Sequence, residues 1–285
     1  MIPVMEFELE RQTRMETVVS LNVGWALLPL LAAAGGAWAL NRGLWGEDPT
    51  TLGVVLALIV GGWQPLWRAL ARTDWATPLS RWPGWPTADP LTRWPYIQPG
   101  TPGDRLQHRL ALAKTWWCGV GKAALAQPLR RAISALLVSL LLSLALGRMS
   151  LLLTLVLLTL AELAALWHEG RGDVGPLWTG IALIAAPWFL GASLGTSDIV
   201  TPALSGLVLA LMIGLYAHPN GWALTGPVVG AAYLLWQGHA TTVGWLLLLA
   251  LPGLMALTSR PSREAYRRAI GPWVLGMVAL MAWVL

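Results

Sequence analysis

Charged residues are scarce in this chain, and one long part of it has none. No Asp, Glu, Lys or Arg occurs from Ile199 to Ser259, and only 12% of all 285 residues are charged. Soluble globular domains usually contain about 25% charged residues. A charged side chain inside a bilayer costs about 2.5–3.5 kcal/mol or more, so it is retained where function or pairing compensates for that cost. The composition therefore excludes an ordinary soluble domain and predicts a membrane protein.

Cysteine and the common catalytic motifs are also missing. Cys118 is the only cysteine, which excludes an internal disulfide and a CxxC site. The sequence contains no P-loop, GxGxxG, HExxH or GxSxG motif. The histidines include no i, i+4 pair for zinc and, on the topology below, no pair at matching depth for a b-type haem; they are His108, His168, His218 and His239. We predict no catalytic residue, no metal and no cofactor, and leave open a bound lipid or quinone.

What the chain does contain is a series of long apolar runs. About 20 apolar residues suffice for a helix to cross a hydrocarbon layer of about 30 Å. The predicted fold is an all-α, polytopic helical bundle with about nine transmembrane helices. They lie near Val18–Leu40, Leu52–Leu70, Arg131–Gly147, Ser150–Trp167, Pro176–Gly195, Ile199–Ala217, Gly221–Gln237, Thr241–Thr258 and Arg268–Leu285.

The distribution of basic residues predicts an orientation for these helices. With the N-terminus in the cytoplasm and the C-terminus outside, all of the 19 basic residues except Arg42 and Arg148 fall on the cytoplasmic side. This arrangement satisfies the positive-inside rule. We predict an integral protein of the bacterial inner membrane, and we attribute the net charge of +5 to cytoplasmic loop arginines rather than to a nucleic-acid-binding patch.

Four parts follow from this reading. Residues 1–17 form a cytoplasmic arm, which has four glutamates and two arginines up to Glu16 and no signal for cleavage. Residues 18–70 form a two-span hairpin, residues 71–130 a cytoplasmic loop rich in Trp, Arg and Pro, and residues 131–285 a seven-span bundle.

Most candidate contact residues of the sequence lie in the predicted cytoplasmic loop. Seven prolines between Arg72 and Gly103 disfavour helix, and the tripeptide Arg-Trp-Pro occurs twice. Trp and Arg suit both the headgroup layer and protein interfaces. Two interpretations stay open, a strap along the membrane surface and an arm that docks a partner. The candidate contact residues here are Arg81, Trp82, Trp85, Arg93 and Trp94.

The segment Asp104–Gln127 predicts an amphipathic helix at the cytoplasmic interface, beside anionic lipid headgroups. Arg109, Trp116 and Trp117 are its candidate lipid or partner contacts. The paired tryptophans are interpreted as interfacial anchors, with a quinone or pigment pocket as the alternative. Elsewhere, Glu162 is the one acidic residue well inside a predicted span, and either a structural role or a proton or quinone role remains open.

The predicted architecture resembles that of the UbiA family of membrane prenyltransferases. The resemblance lies in nine spans, a long cytoplasmic loop after the second and a basic loop before the last, and it would cover nearly the whole chain. It implies isoprenoid transfer with magnesium and diphosphate held by NxxxDxxxD and DxxxD motifs. Here Asp74, Asp89 and Asp104 lack the first spacing, and Ala217–Gly221 carries no acid at all. The resemblance therefore implies a relative without the family's active site.

These observations favour a non-catalytic accessory or scaffold subunit of a larger membrane complex, such as a respiratory or photosynthetic electron-transfer complex. Its expected partners are other membrane-protein subunits and membrane lipids, and no nucleic acid. The alternatives are a UbiA-like prenyltransferase or degenerate relative, and a small-molecule transporter. Pro187, Pro202 and Pro227 interrupt spans as in many transporters, but the sequence has no evident repeat.

Overall fold

A computed structural model describes residues 23–40, 49–71, 73–80, 82, 98, 100–167, 176–194, 200–218, 221–259 and 262–285. All regular structure in these residues is helical. The prediction of an all-α fold is thus confirmed for the described part of the chain. The predicted N-terminal arm lies outside the described residues.

The helices are numbered α1 to α10 in chain order. Their bounds are α1 Val23–Leu40, α2 49–71, α3 Ala76–Ser80, α4 Pro102–Leu146, α5 Arg148–Trp167, α6 176–193, α7 Val200–Tyr216, α8 Thr225–Trp236, α9 Ala240–Thr258 and α10 Arg263–Val284. Three of them contain a π-helical turn, namely α2 at Leu58–Trp63, α4 at Trp117–Gly121 and α6 at Ile181–Ala185. A 3₁₀ turn, Gly221–Leu224, precedes α8.

Four helices in the described part are long and apolar enough to cross a membrane. They are Thr50–Ala71, Pro102–Leu146, Arg148–Ala165 and Ala240–Thr258. Four shorter apolar helices are Trp25–Ala39, Trp178–Ser193, Val200–Tyr216 and Trp222–Trp236. By length and composition, four of the nine predicted spans therefore meet the requirement for crossing.

Helix α4 differs from the sequence-based expectation. An interfacial helix ending at Gln127 and a separate span beginning at Arg131 were predicted, yet the helix continues from Pro102 to Leu146 over 45 residues. Pro128 lies inside it. A proline removes one backbone donor, and the alanines and leucines around this one are strong helix formers, so the helix continues past it.

Both ends of α4 have clear local causes. Thr101 caps the N-terminus by accepting a hydrogen bond from the Asp104 amide, with Pro102 at the first helical position. Gly147 separates α4 from α5 with a φ of 103°. Because a left-handed backbone strains residues that carry a Cβ, glycine is suited to this turn.

The described residues divide into two compact units, the first drawn from Met1–Val60, Leu142–Leu153 and Gly175–Leu285. In this unit α1 packs against α6 and α10. A Cβ on Gly36 would overlap the Trp188 carbonyl group, and one on Gly191 would overlap that of Ala33. Glycine at both positions therefore lets the backbones of α1 and α6 touch, as small residues do in membrane helix pairs.

Two buried tyrosines join α7, α9 and α10 within the same unit. The Tyr216 hydroxyl donates to the Ala250 carbonyl at 2.9 Å, and the Tyr266 hydroxyl donates to the Tyr216 carbonyl at 2.9 Å. Gly253 of α9 provides the space for the Tyr216 ring. In addition, Trp25 Nε1 donates to the Arg267 carbonyl at 2.9 Å and ties α1 to α10. These bonds satisfy polar groups that would be costly to leave unpaired in an apolar environment.

The second unit comprises the described residues of Gly61–Leu141 and Thr154–Val174. A Cβ on Gly62 would lie 3.1 Å from the Ser139 Cα atom, so α2 and α4 are in close contact there. Trp63 is buried, and its Nε1 donates to Thr154 Oγ1 of α5 at 2.9 Å. Trp63 and the neighbouring glycines thus fix α2 against α4 and α5.

Candidate functional site

Half of the predicted contact residues in the loop rich in Trp, Arg and Pro and in the helix after it lie among the described residues. Trp82, Arg109, Trp116 and Trp117 belong to the second unit. The remaining four, Arg81, Trp85, Arg93 and Trp94, lie outside the described residues.

Three of these residues form a tryptophan cluster, made of Trp82, Trp116 and Trp117. The ring centroids of Trp82 and Trp116 are 5.2 Å apart in an edge-to-face arrangement, and those of Trp116 and Trp117 are 6.3 Å apart. Trp116 is 6% exposed, and its Nε1 donates to the Pro78 carbonyl at 3.2 Å. Edge-to-face pairs contribute about 0.5–1.5 kcal/mol beyond the burial of their area. The cluster therefore holds the start of the loop on α4.

The π-helical turn of α4 positions this cluster. Trp117–Gly121 forms the turn, and a Cβ on Gly121 would lie 2.7 Å from the Trp117 ring and 3.0 Å from the Trp116 ring. The indole rings of Trp116 and Trp117 therefore occupy the space beside Gly121 that a side chain would fill. Such turns are often found at functional sites.

Arg109 is exposed on the N-terminal part of α4. Leu106 and Leu110, one helical turn apart beside it, are 51% and 47% exposed. Residues three and four positions apart share one face of a helix. The three side chains therefore form a mixed basic and apolar surface, which we call the Leu106–Leu110 surface.

Glu162 lies on α5, five residues before that helix ends at Trp167, and its side chain is exposed. It faces away from the packed interior of its unit. The histidines are dispersed, with His108 exposed on α4, His218 half-buried after α7 and His239 half-buried before α9, while His168 lies outside the described residues. In the part of the chain that the structure describes, no group of three or more His, Cys, Asp or Glu residues could hold a metal ion.

His218 lies two residues after Tyr216, the last residue of α7, and belongs to the first unit. Burial, and secondly the positive charge of Arg267, lower the pKa of its imidazole below the usual 6.5. Both causes disfavour the protonated form.

Two acids of the region compared with the prenyltransferase motif act as local caps. The Asp74 carboxylate accepts a hydrogen bond from the Thr77 amide at 3.0 Å, and the Asp104 carboxylate accepts one from the Gly100 amide at 2.9 Å. Asp89 lies outside the described residues. Asp74 therefore caps the start of α3, whereas Asp104 lies in the first turn of α4 and accepts from the residue before the cap Thr101, a common use of acids at helix N-termini.

A pocket between α2 and α4 was not predicted from the sequence. It has a volume of about 440 Å³ and two arginines at its wall, Arg68 and Arg131. No Asp or Glu occurs among the described residues that line it. The sequence signal was a basic residue near the end of each of two apolar segments. Arg68 and Arg131 come close only because α2 and α4 pair in a particular register, and no local sequence pattern specifies that register.

The orientation of Arg68 is set within its own helix. Its Nη2 atom donates to Gln64 Oε1 at 3.3 Å, one turn earlier, and Gln64 is buried. Arg131 is exposed, and its carbonyl accepts a hydrogen bond from the Ser134 hydroxyl at 3.1 Å. The guanidinium of Arg68 is therefore supported by a neutral partner, which leaves its charge uncompensated at that contact.

No protein-family model, curated protein sequence or solved structure matches this chain.

Proposed function

We propose that the chain is a polytopic integral membrane protein that serves as a non-catalytic accessory or scaffold subunit of a larger membrane complex. In this proposal it crosses a bacterial inner membrane nine times, with the N-terminus in the cytoplasm and the C-terminus outside. Its partners are other membrane-protein subunits and membrane lipids. Respiratory and photosynthetic electron-transfer complexes are the kinds of assembly that the proposal favours.

The exposed surface of the helices supports a location in lipid. Exposed apolar side chains follow one another along α4 and α5, including Leu137, Leu141 and Leu144 on the former and Leu152 and Val156 on the latter. Trp222 and Trp236 are exposed at opposite ends of the segment Trp222–Trp236. Large contiguous apolar surfaces mark contact with lipid or protein, and exposed tryptophans favour the two headgroup layers.

The observation that carries the proposed role is the length of α4. Its 45 residues correspond to roughly 67 Å at the rise of an α-helix, whereas the hydrocarbon layer is about 30 Å thick. Apolar residues are concentrated in its C-terminal half, and Arg105, Arg109, Lys114 and Lys122 lie in its N-terminal half. The basic half therefore extends beyond the hydrocarbon layer, as an arm suited to contact a neighbouring subunit.

The arm offers a defined surface for such a contact. The Leu106–Leu110 surface combines two exposed leucines with Arg109. Arginine beside apolar side chains is typical of residues that dominate binding energy at interfaces. The tryptophan cluster at the base of the arm supports it, because Trp116 donates a hydrogen bond to the Pro78 carbonyl and packs edge-to-face against Trp82.

The test is purification of a tagged chain from its native membrane in a mild detergent, with the complex resolved by native electrophoresis. We expect the wild type to migrate in a complex of defined size and composition. The double variant Leu106→Glu/Leu110→Glu should insert in the membrane but migrate without its partners, because two carboxylates would be placed at the contact. Truncating one strong interface residue typically costs about 2 kcal/mol or more.

His108→Ala is the matched control. His108 is exposed on the same helix, and at 100° per residue it points roughly 160–200° away from the two leucines. This variant should keep the wild-type complex. Migration of the leucine variant in an unchanged complex would contradict the docking role, as would equal loss of partners from the control.

A further inference from the structure

The pocket between α2 and α4 brings together residues far apart in the chain. Gly61 lies opposite Val138, because a Cβ on that glycine would be 3.8 Å from the valine methyl group. Arg68 follows Gly61 by seven residues, and Arg131 precedes Val138 by seven residues, so both arginines reach one pocket only if the helices are antiparallel. Seven residues rise about 10 Å. The two arginines thus lie at the same level, roughly 10 Å from the glycine contact.

Two positive charges at one pocket imply an anionic ligand. Arg68 and Arg131 both have exposed side chains, and no acidic residue among the described lining residues offsets their like charges, which repel each other. The Arg68 side chain is oriented by a neutral amide, Gln64. Guanidinium groups match the oxygens of phosphate with parallel hydrogen bonds. The Ser134 hydroxyl already donates to the Arg131 carbonyl, and Arg68 and Arg131 are the charged donors among the described lining residues.

Apolar residues line the side of the pocket that leads from the arginines towards the glycine contact. They are Pro65, Ala135 and Val138, together with Gly61, while Ala69, Thr73, Pro128 and Ser134 complete the described lining. Its volume of about 440 Å³ falls within the usual range for small-molecule sites of about 300–1,000 Å³. A free phosphate ion would contact only the part of the pocket beside Arg68 and Arg131. A lipid would place its phosphate there and its glycerol and acyl carbons against the apolar wall.

We propose that this pocket binds the phosphate group of an anionic glycerophospholipid between Arg68 and Arg131. Basic pockets between membrane helices on the cytoplasmic side are suited to such headgroups. The choice of a lipid over a soluble phosphate rests on the proposed membrane location, whereas the recognition of phosphate rests on the pocket alone.

The test uses the full chain, extracted from membranes and freed of bound lipid in a neutral detergent. Binding of short-chain phosphatidylglycerol, short-chain phosphatidylcholine and inorganic phosphate is measured by native mass spectrometry. We expect phosphatidylglycerol to bind, phosphatidylcholine to bind more weakly, and inorganic phosphate not to displace the lipid at equal concentration. In Arg68→Gln/Arg131→Gln, the affinity for phosphatidylglycerol should fall by about tenfold or more for each arginine, because charged hydrogen bonds are lost.

Arg105→Gln/Lys122→Gln is the matched control, since it removes two exposed charges of the same helix that do not line the pocket. It should bind phosphatidylglycerol as the wild type does. An equal loss in this control, or equal binding of phosphatidylcholine, would overturn the proposal. Displacement by inorganic phosphate would show that the ligand is a soluble phosphate and that the lipid assignment is wrong.

A membrane-fractionation control separates this inference from the proposed function. If the chain remains in membranes after an alkaline wash but shows no arginine-dependent lipid binding, the pocket assignment alone fails. If the wash releases the chain, the proposed membrane function fails, whatever the pocket binds.

Discussion

A single glycine determines how the Tyr216 hydroxyl reaches its acceptor on α9. We predict that Gly253→Ala destabilises the protein by about 1–3 kcal/mol, because the new methyl group would overlap the Tyr216 ring and disturb its hydrogen bond to Ala250. Unfolding of the detergent-solubilised chain, followed by tryptophan fluorescence, measures the effect. Gly244→Ala on the same helix is the control, since a Cβ there meets nothing within 4 Å. The control should be neutral or stabilising, as alanine favours helix; equal destabilisation of both variants would refute the packing argument.

His218 predicts a pH dependence of stability. Its pKa is lowered in the folded state, by burial first and by Arg267 second, so the unfolded state binds more protons below the usual value of 6.5. The contribution to stability is complete above that value and is lost as the pH falls from it towards the lowered pKa. We expect the unfolding temperature of the wild type to fall more steeply over this interval than that of His218→Gln. Parallel curves for the two proteins would show that His218 is not responsible.

At the scale of helices, the contact between α1 and α6 depends on two glycines. We predict that Gly36→Ala destabilises the protein by about 1–3 kcal/mol, because the added methyl would overlap the Trp188 carbonyl, a backbone group that cannot rotate away. Gly53→Ala is the control, as nothing lies within 4 Å of its added Cβ. Thermal unfolding compares the two variants. A Gly36 variant as stable as the control would mean that the helices can separate without cost.

The sequence predicted the helices better than their pairing. Long apolar runs predicted helical segments, and the end of one predicted span at Gly147 agrees with the boundary between α4 and α5, because these signals are local. The continuity of α4 across Pro128 was missed, since neighbouring helix formers outweighed the effect of one proline. The pocket of Arg68 and Arg131 was missed for another reason. It requires a particular register between two helices, because the two arginines are more than sixty positions apart in the chain, and no local pattern specifies that register.

For the candidate contact residues, too, the sequence indicated which residues matter but not how they pack. Trp82, Trp116 and Trp117 could be singled out from composition, but the packing of their rings against one another depends on Gly121 and on the Pro78 carbonyl. Trp116 consequently stabilises the loop from inside, whereas Leu106 and Leu110, which the sequence reading treated as part of an amphipathic pattern, are exposed. A hydrophobic residue on a helix carries no local mark that tells whether it faces a neighbouring element or the exterior.

For the whole molecule, the proposed nine-span topology predicts which positions are accessible from each side of the membrane. Cys118 is exposed, so a Cys118→Ser background is needed before single cysteines are introduced. Cysteines at Arg93 and Ser262 should both react with an impermeant thiol reagent from the cytoplasmic side, and a cysteine at Asp198 should react from outside. The reason is that each basic segment must stay on the cytoplasmic face, where Arg and Lys are retained.

The Arg93 and Ser262 positions are separated by an even number of the proposed crossings, whereas Arg93 and Asp198 are separated by an odd number. Labelling of Arg93 and Ser262 from opposite sides would show that one helix between them fails to cross, and the shorter apolar helices, Trp178–Ser193, Val200–Tyr216 and Trp222–Trp236, would be the first to test individually.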